Sequence, residues 1–175
     1  MNDLPPPTVL AEGKYLRLVA RGHWEYAERT TATGAVAIVA ITAQRRLVLV
    51  EQFRIPLGAP VIELPAGLAG DVIAETEESL AETARRELLE ETGYEAAEMR
   101  LMLAGPTSAG LSNEVVTFFA ATGLKKIHEG GGDPHEKIIV HEPPLDGLDQ
   151  WLRERAAAGA LIDPKIFAGL YLIEA

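Results

Sequence analysis

The chain has 175 residues, 47% of them hydrophobic, which is enough for one sizeable core and short for two. A formal net charge of −10 argues against a nucleic-acid backbone or an anionic membrane as partner, and an anionic small molecule would need local positive charge or a metal ion. The absence of cysteine excludes disulfides, thiolate metal sites and a thiol nucleophile.

The opening MNDLPPPTVLAEGKYLRL lacks the basic start and long apolar run of a secretion signal. No stretch approaches the roughly 20 apolar residues of a membrane span, so a cytoplasmic protein is expected. Tyr15 to Ala20 and Trp24 to Glu28 alternate apolar and polar residues around a turn at Arg21-Gly22, which predicts an N-terminal hairpin. Gly34 to Thr42 and Leu47 to Phe53 are apolar, β-branched runs separated by a polar tetrapeptide, and read as paired central strands. A short strand at Val61 to Leu64 stops at Pro65-Ala66-Gly67.

Leu80, Ala84 and Leu88 recur at helical spacing within a segment from about Thr76 to Thr92, and Gly93 stands just past its end. Strands follow at Met99 to Ala104, Val115 to Ala121 and Lys137 to His141. The three consecutive glycines in His128 to Glu136 predict a mobile loop between the last two. Helices are expected from Leu145 to Ala158 and, after Asp163 as cap and Pro164 as first residue, to the C-terminus. This order of elements predicts an α/β sandwich with a mixed sheet.

One helix carries charge where it should not. At roughly 100° per residue, Glu87 and Glu91 fall on either side of Leu80 and so edge the inward face. They repel each other across one turn and sit in the last turns, where the helix dipole disfavours anions. Each effect costs about 0.3–1 kcal/mol, and Glu90 adds a third charge. A hard divalent cation would reverse the sign of the problem, because Mg²⁺ takes oxygen ligands and commonly bridges carboxylates to substrate phosphates. The competing reading is a solvated acidic face, with Arg85 and Arg86 pairing to Glu78, Glu82 or Glu90.

Arg86-Glu87-Leu88-Leu89-Glu90-Glu91-Thr92-Gly93-Tyr94 resembles, position for position, the Nudix pattern Arg-Glu-apolar-any-Glu-Glu-any-Gly-apolar. Glu78 fits the earlier glutamate of that motif. The motif's first glycine has no match at Val72; Gly67 takes its place, leaving an insertion of about five residues in Ala69 to Thr76. Val50-Glu51-Gln52-Phe53-Arg54 and Glu63-Leu64-Pro65-Ala66-Gly67 resemble the flanking strands of the ADP-ribose pyrophosphatase branch.

The resemblance implies a Nudix-like α/β/α sandwich, with residues 1–33 as an N-terminal hairpin for dimerisation or base binding and 34–175 as the hydrolase domain. It implies Mg²⁺, with Mn²⁺ possible, held by the Ala66 carbonyl, Glu87 and Glu91, with Glu90 contributing. It places Glu90 and Arg86 in the catalytic set, Arg86 as the residue that orients the glutamates, Arg54 on a substrate phosphate, and Glu136 as the catalytic base. Glu129, Asp133 and His135 are understudies for that last role. Gly110 to Glu114 resembles the turn lining the substrate cleft, which implicates Leu111, Ser112 and Glu114. Tyr15 and Trp24 match aromatic positions that stack on adenine in relatives, sometimes across a homodimer. The implied reaction is metal-dependent hydrolysis of a small nucleotide, ADP-ribose to AMP and ribose 5-phosphate. The alternatives are another nucleoside diphosphate sugar or dinucleotide, or a regulatory module that binds ADP-ribose without cleaving it.

Overall fold

A computed structural model of the chain describes residues 4–70, 79–132 and 137–174. Strands β1 (Thr8–Glu12), β2 (Leu16–Arg21) and β3 (Trp24–Arg29) form a separate antiparallel sheet in that order. The expected hairpin is thus β2–β3, joined by a strand from the proline-rich start that composition did not suggest. There follow β4 (Gly34–Ala40), β5 (Leu49–Arg54), a single 3₁₀ turn (Ile55–Leu57), β6 (Ala59–Glu63) and β7 (Ala66–Ala69). Helix α1 (Leu80–Thr92) leads to β8 (Tyr94–Glu95), β9 (Glu98–Pro106), β10 (Val115–Thr122), β11 (Lys125–Lys126) and β12 (Ile139–His141). The chain closes with α2 (Leu148–Ala157), β13 (Leu161–Ile162) and α3 (Lys165–Glu174).

Two four-stranded mixed sheets, β7-β4-β10-β9 and β12-β5-β6-β13, replace the single expected one. The expected pairing of β4 with β5 is corrected: the two runs touch only where they part, at the Ile41–Leu47 bridge and the Val48 to Ala40 hydrogen bond, and then enter different sheets. Both faces of β4 are covered. Ala35, Ala37 and Val39 join Leu64, Leu152 and Ile166 on one side, while Val36, Ile38 and Ala40 join Ala84 and Leu88 of α1 on the other. A strand buried on both faces reads as an unbroken apolar run, and such a run carries no information about its neighbours. The result is the expected α/β/α layering, with α1 against one face and α2 and α3 against the other. Each fully buried leucine in these layers contributes about 1.5–3 kcal/mol. Among the described residues, no helix is long and apolar enough to cross a membrane.

Candidate active site

Helix α1 starts four residues later than periodicity predicts, because Ser79 is extended and caps it. The Ser79 hydroxyl accepts the Glu82 amide, and the Glu82 carboxylate accepts the Ser79 amide in return. That closes a capping box at the N-terminal turn. Ala84 and Leu88 are fully buried, so the neighbouring positions Glu87 and Glu91 are turned toward the protein body, and Glu91 is only 6% exposed. Gly93 ends the helix in the left-handed conformation, φ 74°. The carbonyls of this end are not left to solvent. The Lys126 ammonium donates to the Thr92 carbonyl at 3.0 Å, Gly131 N–H to Glu91 O at 2.8 Å, and Gly132 N–H to Glu90 O at 3.1 Å. The glycine triplet is therefore docked against the acidic end of α1 through residue 132, not free as composition suggests. Burial first, then a hydrogen bond to Glu142, pushes the Tyr94 phenol up to about 12.

The turn between β6 and β7 delivers the Ala66-Gly67 backbone to the same place. The Ala66 amide donates to Glu91 Oε2 at 3.0 Å. Gly67 lies directly under Glu87, and a Cβ there would overlap the Glu87 carboxyl group. Arg86 donates from one Nη1 to Glu87 Oε1 at 2.9 Å and to Glu90 Oε2 at 3.3 Å, so it braces two of the acids from the side. The Glu90 side chain stays half exposed at the rim.

These groups line a cleft of about 670 Å³ whose walls also include Arg29, Gln52, Arg54, Glu63, Glu114 and Lys165. Arg54 Nε donates to Glu63 Oε2 at 2.6 Å, and Arg29 Nε to Glu114 Oε2 at 2.5 Å. Each guanidinium keeps part of its donor fork for a ligand, the geometry that suits phosphate oxygens. The donor set around Ala66 and Gly67 is all oxygen. Among the described residues no group of three acidic or histidine side chains forms a complete metal cage. Two carboxylates beside the Ala66-Gly67 backbone nevertheless fit Mg²⁺, which keeps waters and completes its shell with substrate phosphates.

Of the residues singled out in the sequence, Ala66, Glu87, Glu90, Glu91, Arg86, Arg54 and Glu114 meet in this cleft. Leu111 and Ser112 do not line it; they are tied to β3 through the Ala27 amide and a bridge from Ala27 to Ser112. Tyr15 and Trp24 do not line the cleft of a single chain; they are 64% and 51% exposed. Glu78 and Glu136, with Asp133 and His135, fall outside the described residues, as does most of the proposed insertion. Arg29, Gln52, Glu63 and Lys165 were not singled out. Glu63 carried a signal, an acid ending an apolar strand, whereas Arg29 and Lys165 look in sequence like ordinary surface cations.

The NUDIX domain model matches residues 31–165. The chain therefore belongs to the Nudix family. It is 40% identical over 123 residues to a methanol dehydrogenase activator of Bacillus methanolicus, covering 70% of this chain and 64% of that protein. It is 41% identical over 114 residues to an ADP-ribose pyrophosphatase of Bacillus subtilis, covering 65% and 59%. The chain thus spans less than two thirds of either relative. Its fold matches the crystal structure of an ADP compounds hydrolase with a TM-score of 0.72 at 19% identity, covering 98% of this chain and 91% of that one.

Proposed function

We propose that the chain hydrolyses the diphosphate linkage of a nucleoside diphosphate derivative with a divalent metal ion, and that ADP-ribose, cleaved to AMP and ribose 5-phosphate, is its substrate. The observation that carries this reading is the convergence of Glu87 and Glu91 on the Ala66-Gly67 backbone, in a cleft that also presents Arg29, Arg54 and Lys165. Buried acids at the negative end of a helix are unfavourable unless a cation meets them. The substrate assignment draws on the ADP-ribose pyrophosphatase relative.

In this proposal Glu87, Glu91 and the Ala66 carbonyl hold the ion, with Glu90 contributing from the rim. Mg²⁺, or Mn²⁺ in its place, neutralises diphosphate charge and lowers the pKa of a bound water when present. Arg54 and Arg29 orient the phosphates through their free guanidinium edges. Arg86 holds the Glu87 and Glu90 carboxylates in position. The Glu136 carboxylate accepts the proton of the attacking water. The N-terminal sheet, with Val9, Leu10, Leu16 and Leu18 each at least 41% exposed, is assigned to a homodimer contact. Light scattering tests that last point, and a monomeric mass would remove it.

The deciding assay measures product formation from ADP-ribose, GDP-mannose, UDP-glucose, NADH and diadenosine polyphosphates with Mg²⁺, each beside an EDTA control. ADP-ribose is expected to lead, and EDTA to abolish the reaction. A different leading substrate overturns the base preference and leaves the chemistry. The relative named as a dehydrogenase activator favours a second reading, in which the site binds a nucleotide in order to act on a partner protein. Nucleotide binding without turnover of any panel member would establish that reading instead.

A further inference from the structure

The face of β5 turned away from the cleft carries a polar cluster of its own. Gln52 and Arg54 line the cleft, so strand alternation turns Glu51 to the opposite face, beside Leu49 and on the side that packs against α2. There one carboxylate oxygen, Glu51 Oε2, accepts two hydrogen bonds, from His141 Nε2 of β12 at 2.8 Å and from Arg155 Nη2 of α2 at 2.6 Å. Trp151, one turn before Arg155, meets the His141 ring edge-on with centroids 5.2 Å apart, and the Arg155 guanidinium lies 6.0 Å from the Trp151 ring. Three elements, β5, β12 and α2, thus converge on a single oxygen.

Such a cluster is a poor source of stability. Well-packed apolar residues in place of a buried ion pair are commonly neutral or stabilising. Arg155 Nε is moreover buried with no hydrogen-bond partner among the described residues, a further cost. What the cluster supplies is register. Strand β12 is three residues long, stands at the edge of its sheet and, among the described residues, pairs only with β5. Ile139, opposite Glu51, is 56% exposed, so apolar packing holds this strand loosely. A slip of one residue moves the chain by about 3.3 Å and turns every side chain to the other face. The His141–Glu51 bond forms in one register only.

We propose that Glu51, His141 and Arg155 are positioning residues for the hydrolysis, acting from outside the cleft by fixing β12 on β5. The inference rests on the hydrolase reading of the cleft. Both strands lead to that reaction. β5 continues into Gln52 and Arg54 on the cleft wall, and Ile139, the first residue of β12, stands three residues after Glu136, the proposed proton acceptor. The connection before β12 is held at its other end too, where the Gly132 amide donates to the Glu90 carbonyl at 3.1 Å. With Gly132 fixed on the acidic helix, the register of β12 sets the length of chain between the two anchors. A misplacement of about 1 Å at a reacting group costs on the order of 100-fold in rate, so a fraction of one register step is enough to matter.

Two variants at one position separate positioning from packing. His141→Leu removes the donor, whereas His141→Gln keeps a neutral N–H donor of similar reach. Steady-state kinetics with ADP-ribose and Mg²⁺ on the full chain are expected to show kcat falling on the order of 100-fold in His141→Leu with KM within about twofold, and His141→Gln recovering most of the loss. Hydrogen exchange over residues 139–141 should quicken in His141→Leu and stay slow in His141→Gln, with exchange in β6 unaltered in both. Arg155→Met, which keeps an aliphatic stem against Trp151, is expected to act in the same direction and serves where His141→Leu does not fold. Wild-type kcat in His141→Leu, a loss that His141→Gln does not recover, or exchange rising equally across the chain would overturn the positioning role. A wild type that binds nucleotide and cleaves none discards the hydrolase reading instead, and exchange over 139–141 still decides whether the cluster fixes β12.

Discussion

Gly67 and Glu87 compete for one volume: the position that a side chain on residue 67 would take is filled by the Glu87 carboxyl group. The glycine is required here by proximity and not by dihedral angle, since its φ is not among the positive ones. Gly67→Ala should therefore push Glu87 off the Ala66-Gly67 backbone while leaving the strand intact. A displacement of about 1 Å at a catalytic group costs on the order of 100-fold in rate. Metal-dependent turnover is expected to fall by about that factor with an unchanged circular dichroism spectrum. Wild-type turnover would show that Glu87 can be displaced without consequence.

Glu91→Gln should separate activity from stability. Its Oε1 can still accept the Ala66 amide, but the charge that meets a cation is gone. Metal affinity and most turnover are expected to be lost. Without metal, the variant should melt at or above the wild-type temperature, because repulsion with Glu87 and the unfavourable helix end, about 0.3–1 kcal/mol each, are relieved. Titration calorimetry with Mn²⁺ and a thermal melt in EDTA check the two halves separately.

For Glu136→Gln the expected result is lost turnover with substrate affinity largely kept, since a proton acceptor acts in the transition state and contributes little to ground-state binding. Single-turnover kinetics beside equilibrium binding of ADP-ribose read this directly. Unchanged turnover would move the base to another residue.

Gly93 is demanding for a different reason. It is left-handed at φ 74°, and a Cβ on it would run into the His128 carbonyl of the loop that folds back over the helix end. Gly93→Ala should destabilise the fold by more than about 1 kcal/mol, the conformational cost alone, with the collision adding to it. Urea denaturation at constant slope measures the loss.

Much of this was legible before any coordinates, and the reasons are local. Leu80, Ala84 and Leu88 set the inward face of α1, and fixed helical geometry then carries Glu87 and Glu91 with them. Gly93 as a helix end follows from its own freedom at positive φ. What escaped notice depends on distant partners. The separation of β4 from β5 is decided by which strands reach them later in the chain, and Arg29 and Lys165 acquire meaning only because β3 and α3 end at the cleft. The docking of the glycine triplet likewise depends on a distant partner: glycine is permissive, and here that permissiveness serves close packing against α1.

The amides of Gly131 and Gly132 bond to the carbonyls of Glu91 and Glu90, the residues whose side chains border the cleft. Those two amide protons are consequently built-in reporters of the site. Their hydrogen–deuterium exchange should slow when a cation or nucleotide steadies the acidic end of the helix, so occupancy can be followed in solution without a label, a chromophore or turnover.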